Sequence, residues 1–285
     1  MLEFLAALAN YPFLQNALLA GLLAGLACGV MGTYVVVRRI SYLAGAIAHS
    51  VLAGLGAARY LQVVQGWTWL HPLLGAAAAG LAAAFIMGLV SLRAREREDT
   101  VIGAIWAVGM ALGILFMAAT PGYAGDLMAY LFGDILMVGP GDLWLMAGLD
   151  LVVLVLGLGL FNRLTAVCFD EEFARLRGIQ VELHYLLLLA LTALTVVLLC
   201  AVVGIIMVIA LLTLPAATAS RLASGLRGIM ALAVLLGMVF TSGGLALSYS
   251  RDLPTGAVII LLAGAAYLLS LLLTRPGPRG LSPRS

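Results

Sequence analysis

Lysine is absent from this chain of 285 residues, and all of its 15 basic side chains are arginines. Charge of either sign is scarce: Asp, Glu and Arg together make up 10% of the residues, for a formal net charge of +2. The three cysteines, Cys28, Cys168 and Cys200, lie far apart, which excludes a disulfide framework and any metal-binding cysteine spacing; they read as small apolar fillers. A phosphate-binding loop, a paired-histidine helix motif and a Ser/His/Asp grouping are all missing, so enzymatic chemistry is disfavoured. The N-terminus lacks the basic start of a cleavable signal peptide. What is abundant is apolar: 64% of the residues are hydrophobic and the mean hydropathy is +1.15. A water-soluble fold of this size cannot hide that much apolar surface, so lipid must be the solvent for much of it.

Apolar runs of the length that crosses a bilayer, about 20 residues each, use up the chain in about nine crossings. The expected spans are 13–37, 44–61, 72–92, 101–119, 143–161, two from the long run 183–219 split near Val202–Gly204, then 229–249 and 255–274. Residues 2–11 suit a short interfacial helix. The apolar segment Leu127–Val138 is too short to cross and is expected to lie at the outer face. Arginines cluster at 38–39, 93–97, 163–177, 221–227 and 275–284, with only Arg59 and Arg251 in the gaps. That alternation is the positive-inside pattern; it puts the clusters in the cytoplasm, the N-terminus outside and the C-terminus inside. The fold class is therefore an all-α polytopic membrane protein. One domain covers 1–274, and 275–285 forms a basic, Pro/Gly/Ser-rich, disordered cytoplasmic tail.

Ionisable groups within spans are costly in lipid and are functional candidates by default. His49 lies ten residues beyond Arg39, about 15 Å along a helix and so near the middle of a hydrocarbon core of about 30 Å. Its imidazole could ligate a metal, relay a proton or bond a neighbouring helix. Asp150, inside the fifth span, and Asp134, at the outer face, are the weaker candidates. In the cytoplasm, Asp170-Glu171-Glu172-Phe173-Ala174-Arg175-Leu176-Arg177-Gly178 opens acidic, closes basic and ends in glycine. Each end complements a helix dipole, predicting a short amphipathic helix with Phe173, Ala174 and Leu176 available for docking. A secondary transporter or channel using His49 and Asp150 as an ion or proton relay is the alternative reading; a membrane-embedded enzyme would need a second reactive group at the depth of His49.

An ordered series of segments resembles the permease subunits of ATP-driven ABC importers for zinc, manganese or iron. It comprises Arg38-Arg39-Ile40-Ser41-Tyr42-Leu43 leading to His49, Glu98–Gly103, Leu131–Leu136, Phe169–Ala174 with Gly178, Val203-Gly204, Leu214–Ala217 and Leu253–Gly256. The resemblance implies a homodimer in a bacterial or archaeal inner membrane. It implies two ATPase subunits at the cytoplasmic face, bearing the ATP and magnesium, and a metal-binding protein outside. The chain itself would bind no cofactor and no nucleic acid, the divalent metal being cargo. The helix at Asp170–Gly178, with Asp170, Glu171, Glu172, Phe173, Ala174 and Gly178, would couple to the ATPase. The family places an aspartate one turn before the histidine; here that position is Gly45.

Overall fold

The computed structural model describes residues 2–93, 98–122, 133 and 135–273, and every regular element among them is helical. In chain order these are α1 (Leu2–Asn10), α2 (Pro12–Val37), α3 (Ser41–Val64), α4 (Pro72–Arg93), α5 (Glu98–Ala119), a 3₁₀ turn (Ile135–Met137), α6 (Pro140–Gly159), α7 (Phe161–Phe169), α8 (Glu171–Leu176), α9 (Val181–Val203), α10 (Ile205–Leu222), α11 (Leu226–Arg251) and α12 (Thr255–Leu273). Nine of these described helices are long and apolar enough to cross a bilayer, matching the nine expected runs. Their ends follow local chemistry. Proline opens α2, α4 and α6, where a missing N–H costs nothing. The long run divides at Gly204, whose φ of +89° lies where L side chains rarely go.

Some bounds differ from the expected ones. Span three-to-four and the last span agree to within a few residues. The fifth begins at Pro140 instead of 143, because Gly139-Pro140-Gly141 starts that helix, with Gly139 as N-cap and Asp142 accepting the Gly139 N–H at 3.0 Å. It ends at Gly159, and the chain then forms a separate short helix, α7. The outer-face segment 127–138 falls mostly outside the described residues. Its described end is the 3₁₀ turn, with Ile135 buried and Gly133 at φ +63° against the Val203–Gly204 backbone.

Among the described residues, Arg38, Arg221 and Arg227, from three of the clusters, make contacts at the ends of their helices. Arg38 bonds the Val167 carbonyl and pairs with Glu171, Arg227 lies over the Phe161 ring, and Arg221 reaches the Ser270 carbonyl. Phe4 packs on Tyr249, and Asn16 bonds the Val138 carbonyl.

The helices sort into two groups. In one, α3 packs extensively on both α4 and α5; in the other, α2 packs on α10 and α11, and α12 closes against α10 and α11. Consecutive helices α2 and α3 touch little, and α9 lies between the groups, contacting α4, α3, α10, α2 and α6. Glycine makes the close approaches. A Cβ at Gly54 of α3 would sit 2.1 Å from the Gly75 carbonyl oxygen of α4, and one at Gly32 of α2 would sit 2.0 Å from that of Leu212 in α10. Lipid does not drive helices together hydrophobically, so such backbone-to-backbone packing carries much of the association.

Candidate ion path and cytoplasmic docking surface

α3 starts at Ser41, just past the Arg38–Arg39 pair, and His49 stands eight residues on, about 12 Å along the axis. The imidazole is half-buried, with Nδ1 2.8 Å from the Gly45 carbonyl oxygen. A carbonyl only accepts, so Nδ1 carries the hydrogen and donates it, which in a neutral ring leaves the lone pair on Nε2. Trp106 of α5 stacks on the ring at 4.4 Å between centroids and 25° between planes. The same indole occupies the space beside Gly45: a Cβ there would lie 2.5 Å from Trp106 Cζ3 and 2.9 Å from Cη2. Glycines on α5 allow this proximity. A Cβ at Gly109 would come within 3.0 Å of Ser50 Cα, and one at Gly113 within 2.8 Å of Leu52 Cγ.

The other sequence candidates are not gathered around His49. Asp150 is buried in α6, with Oδ2 lacking a hydrogen-bond partner among the described residues, and is within electrostatic reach of Cys28 on α2. α3 and α6 share little or no packed interface. Asp134 lies outside the described residues. Among those described, no group of three or more His, Cys, Asp or Glu side chains is arranged to hold a metal ion. At the outer end, His71 and Asp142 line one cavity of about 290 Å³ together with Leu55, Met146 and Val202. Both are engaged at helix starts: His71 Nδ1 accepts the Leu73 N–H at 3.3 Å, and Asp142 accepts that of Gly139. His184 is buried and donates from Nδ1 to the Gln180 carbonyl at 2.8 Å.

The cytoplasmic helix forms where the acidic-to-basic pattern placed it. Asp170 caps α8 by accepting the Phe173 N–H at 2.9 Å. Gly178 closes it at φ +72°, with Gly178 N–H bonded to the Arg175 carbonyl and Ile179 N–H to that of Ala174, a Schellman ending that only glycine adopts without strain. Ala174 is fully buried against the bundle, whereas Phe169, Phe173 and Leu176 are 65%, 48% and 87% exposed. Glu171 pairs with Arg38, which also bonds the Val167 carbonyl at 3.2 Å and lies over the Tyr185 ring at 5.3 Å. Burial pushes the Cys168 thiol up to about 11 against the opposing pull of Arg38, so it stays protonated and unreactive. The sequence singled out Arg38, Glu171 and His49 separately, but neither the pairing of Arg38 with Glu171 nor Trp106 as the neighbour of His49. The only local signals were an arginine at a span end and a glycine one turn before a histidine.

The sequence pattern of the ABC 3 transport family matches residues 10–274. The chain belongs to that family. The permease is 44% identical over 275 residues to an uncharacterised membrane protein of Synechocystis, with 96% of this chain and 95% of that protein aligned. It is 35% identical to the manganese transport system membrane protein MntC of Halalkalibacterium halodurans, over 94% of this chain and 89% of that one. Among solved structures, PsaBC from Streptococcus pneumoniae in complex with Fab superposes with a TM-score of 0.83 at 32% identity, covering 95% of each chain. The permease is thus a multi-pass bacterial membrane protein of an ABC transport system.

Proposed function

We propose that this permease moves a divalent transition-metal cation inward through the membrane as a homodimer, driven by two ATPase subunits seated on α8 and supplied by a metal-binding protein outside. The observation that carries the reading is the likeness, nearly end to end, to a manganese transport permease, joined to an imidazole within the α3 span whose Nε2 has no hydrogen-bond partner among the described residues. A cation leaving water needs protein ligands at that depth, and neutral imidazole is a suitable one. His49 is the transit ligand, and Asp150 faces a different group of helices. The docking role of α8 is supported by its form: a buried Ala174 anchors it, while Phe169, Phe173 and Leu176 present apolar surface to the cytoplasm, as the rim of an interface with a soluble partner would.

Reconstitution of the permease with its partner ATPase tests the whole reading. Metal-stimulated ATP hydrolysis and ion uptake are expected from the complex. His49→Ala should abolish uptake while assembly persists. His49→Gln should fail likewise, since an amide keeps the hydrogen bond but is a poor transition-metal ligand. Recovery by Gln would reduce His49 to a packing residue, and uptake without any ATPase would favour the secondary-transport reading.

A further inference from the structure

We infer that Trp106 is a positioning residue that takes the place of a second ligand at position 45, leaving each protomer one imidazole as its transit ligand, a donor that favours zinc-like cations over manganese. The inference rests on the proposed role of His49 as transit ligand and goes on to name the class of cation.

Positions 45 and 49 are one helical turn apart and share a face of α3. A carboxylate at 45 would stand beside the imidazole, where it could share a cation with it. Here the residue is glycine, and the volume its side chain would use belongs to Trp106, 2.5 Å from where a Cβ would be. Even alanine at 45 would force the indole away. The indole has a second contact, stacking on the His49 ring at 4.4 Å. With Nδ1 tied to the Gly45 carbonyl and one ring face covered, the imidazole is fixed in plane and tautomer, and Nε2 is the atom offered to a passing ion. One indole therefore does two things: it excludes an oxygen ligand from the turn before His49, and it aims the nitrogen ligand that remains.

The chemistry of the donor sets the preference. Imidazole suits zinc, iron and nickel, whereas manganese, like magnesium and calcium, is better served by carboxylate and carbonyl oxygen. A site built on imidazole nitrogen alone also lacks the negative charge that would hold a hard divalent cation non-selectively.

The test uses the complete importer in proteoliposomes, with uptake of zinc and manganese ions measured side by side for five forms: unaltered, His49→Ala, Gly45→Asp, Trp106→Ala, and Gly45→Asp with Trp106→Ala. Assembly of each is followed by size-exclusion chromatography, and Trp106→Phe serves as the conservative control. Unaltered protein should take up zinc in preference to manganese, and Trp106→Phe should keep that preference. Gly45→Asp alone should assemble poorly or transport little, because the carboxylate and the indole claim one volume. Removing the indole in the double variant should restore assembly and shift the zinc-to-manganese ratio about tenfold or more toward manganese, the equivalent of one modest ligand contact. Normal zinc and manganese uptake by His49→Ala overturns the transit-site reading beneath the proposal. Loss of uptake in His49→Ala, together with a manganese preference in the unaltered protein or an unchanged ratio in the double variant, overturns this proposal alone. Full tolerance of Gly45→Asp with Trp106 in place would also overturn it.

Discussion

The Arg38–Glu171 pair ties α8 to the end of α2, and its removal has a calculable effect. Hydrogen bonds to charged groups contribute about 1.5–3 kcal/mol when sheltered, and fully exposed ion pairs about 0.2–1 kcal/mol. With the two side chains 22% and 32% exposed, solvent screening places this pair near the lower range, at about 1 kcal/mol. That is roughly a fivefold change in the local opening equilibrium of α8. Glu171→Gln should therefore speed hydrogen exchange at the Ala174 and Ile179 amides about fivefold, with the rest of the bundle unaffected. Arg38→Gln should do more, because it also loses the Val167 carbonyl bond and the stack over Tyr185. Since Glu171 also sits in the first turn of α8, where the helix dipole favours it, the double variant is needed to isolate the pair by a double-mutant cycle. The interaction should shrink in high salt, and in the reconstituted importer the number of ions moved per ATP should fall with the loosened helix. Unaltered exchange in Glu171→Gln, or a cycle with no coupling between the two positions, would refute the argument.

Two further outcomes are expected. Gly54→Ala should sharply reduce the yield of monodisperse protein and its Tm, because a Cβ would lie 2.1 Å from the Gly75 carbonyl oxygen; Gly148→Ala, which meets nothing within 4 Å, should stay within about 0.5 kcal/mol of the parent. Asp150→Asn should leave metal uptake unchanged and hold or raise the Tm, since it relieves a buried carboxyl oxygen without a described partner; a folded variant that loses uptake would put Asp150 on the ion's path.

The nine spans were legible because lipid demands long apolar runs. The short helix at 171–176 was legible from its own capping residues, Asp170 and Gly178. α7 was not: residues 161–169 mix Asn162, Arg163 and Thr165 with apolar side chains, and nothing in that mixture separates a further short helix from a loop. Trp106 was equally hidden, since an aromatic residue in an apolar run is indistinguishable from one facing lipid until α5 is laid against Gly45. The Arg38–Glu171 pair joins positions 133 residues apart, and no local pattern announces a partner so distant. The fold of single helices is written in windows of twenty residues; the site is written in which windows meet.

The sparse contact between α2 and α3 has a mechanical meaning. The chain passes from one helix group to the other through three residues, Arg38 to Ile40, with Arg39 in the left-handed region at φ +64°. Within each group, carbonyls lie against glycines with no side chain between them, so neither group can deform without breaking its own backbone packing. Motion between inward- and outward-open arrangements, as the proposed import requires, would then be borne at the joints, of which this turn is one. Arg38 is both the first residue of that turn and the residue gripped by Glu171. Under the proposed coupling role of α8, a push delivered to it from the cytoplasm would reach the hinge through Arg38, as a crank acts on an axle. His49 and Trp106, both on the α3–α5 block, ride together when it turns.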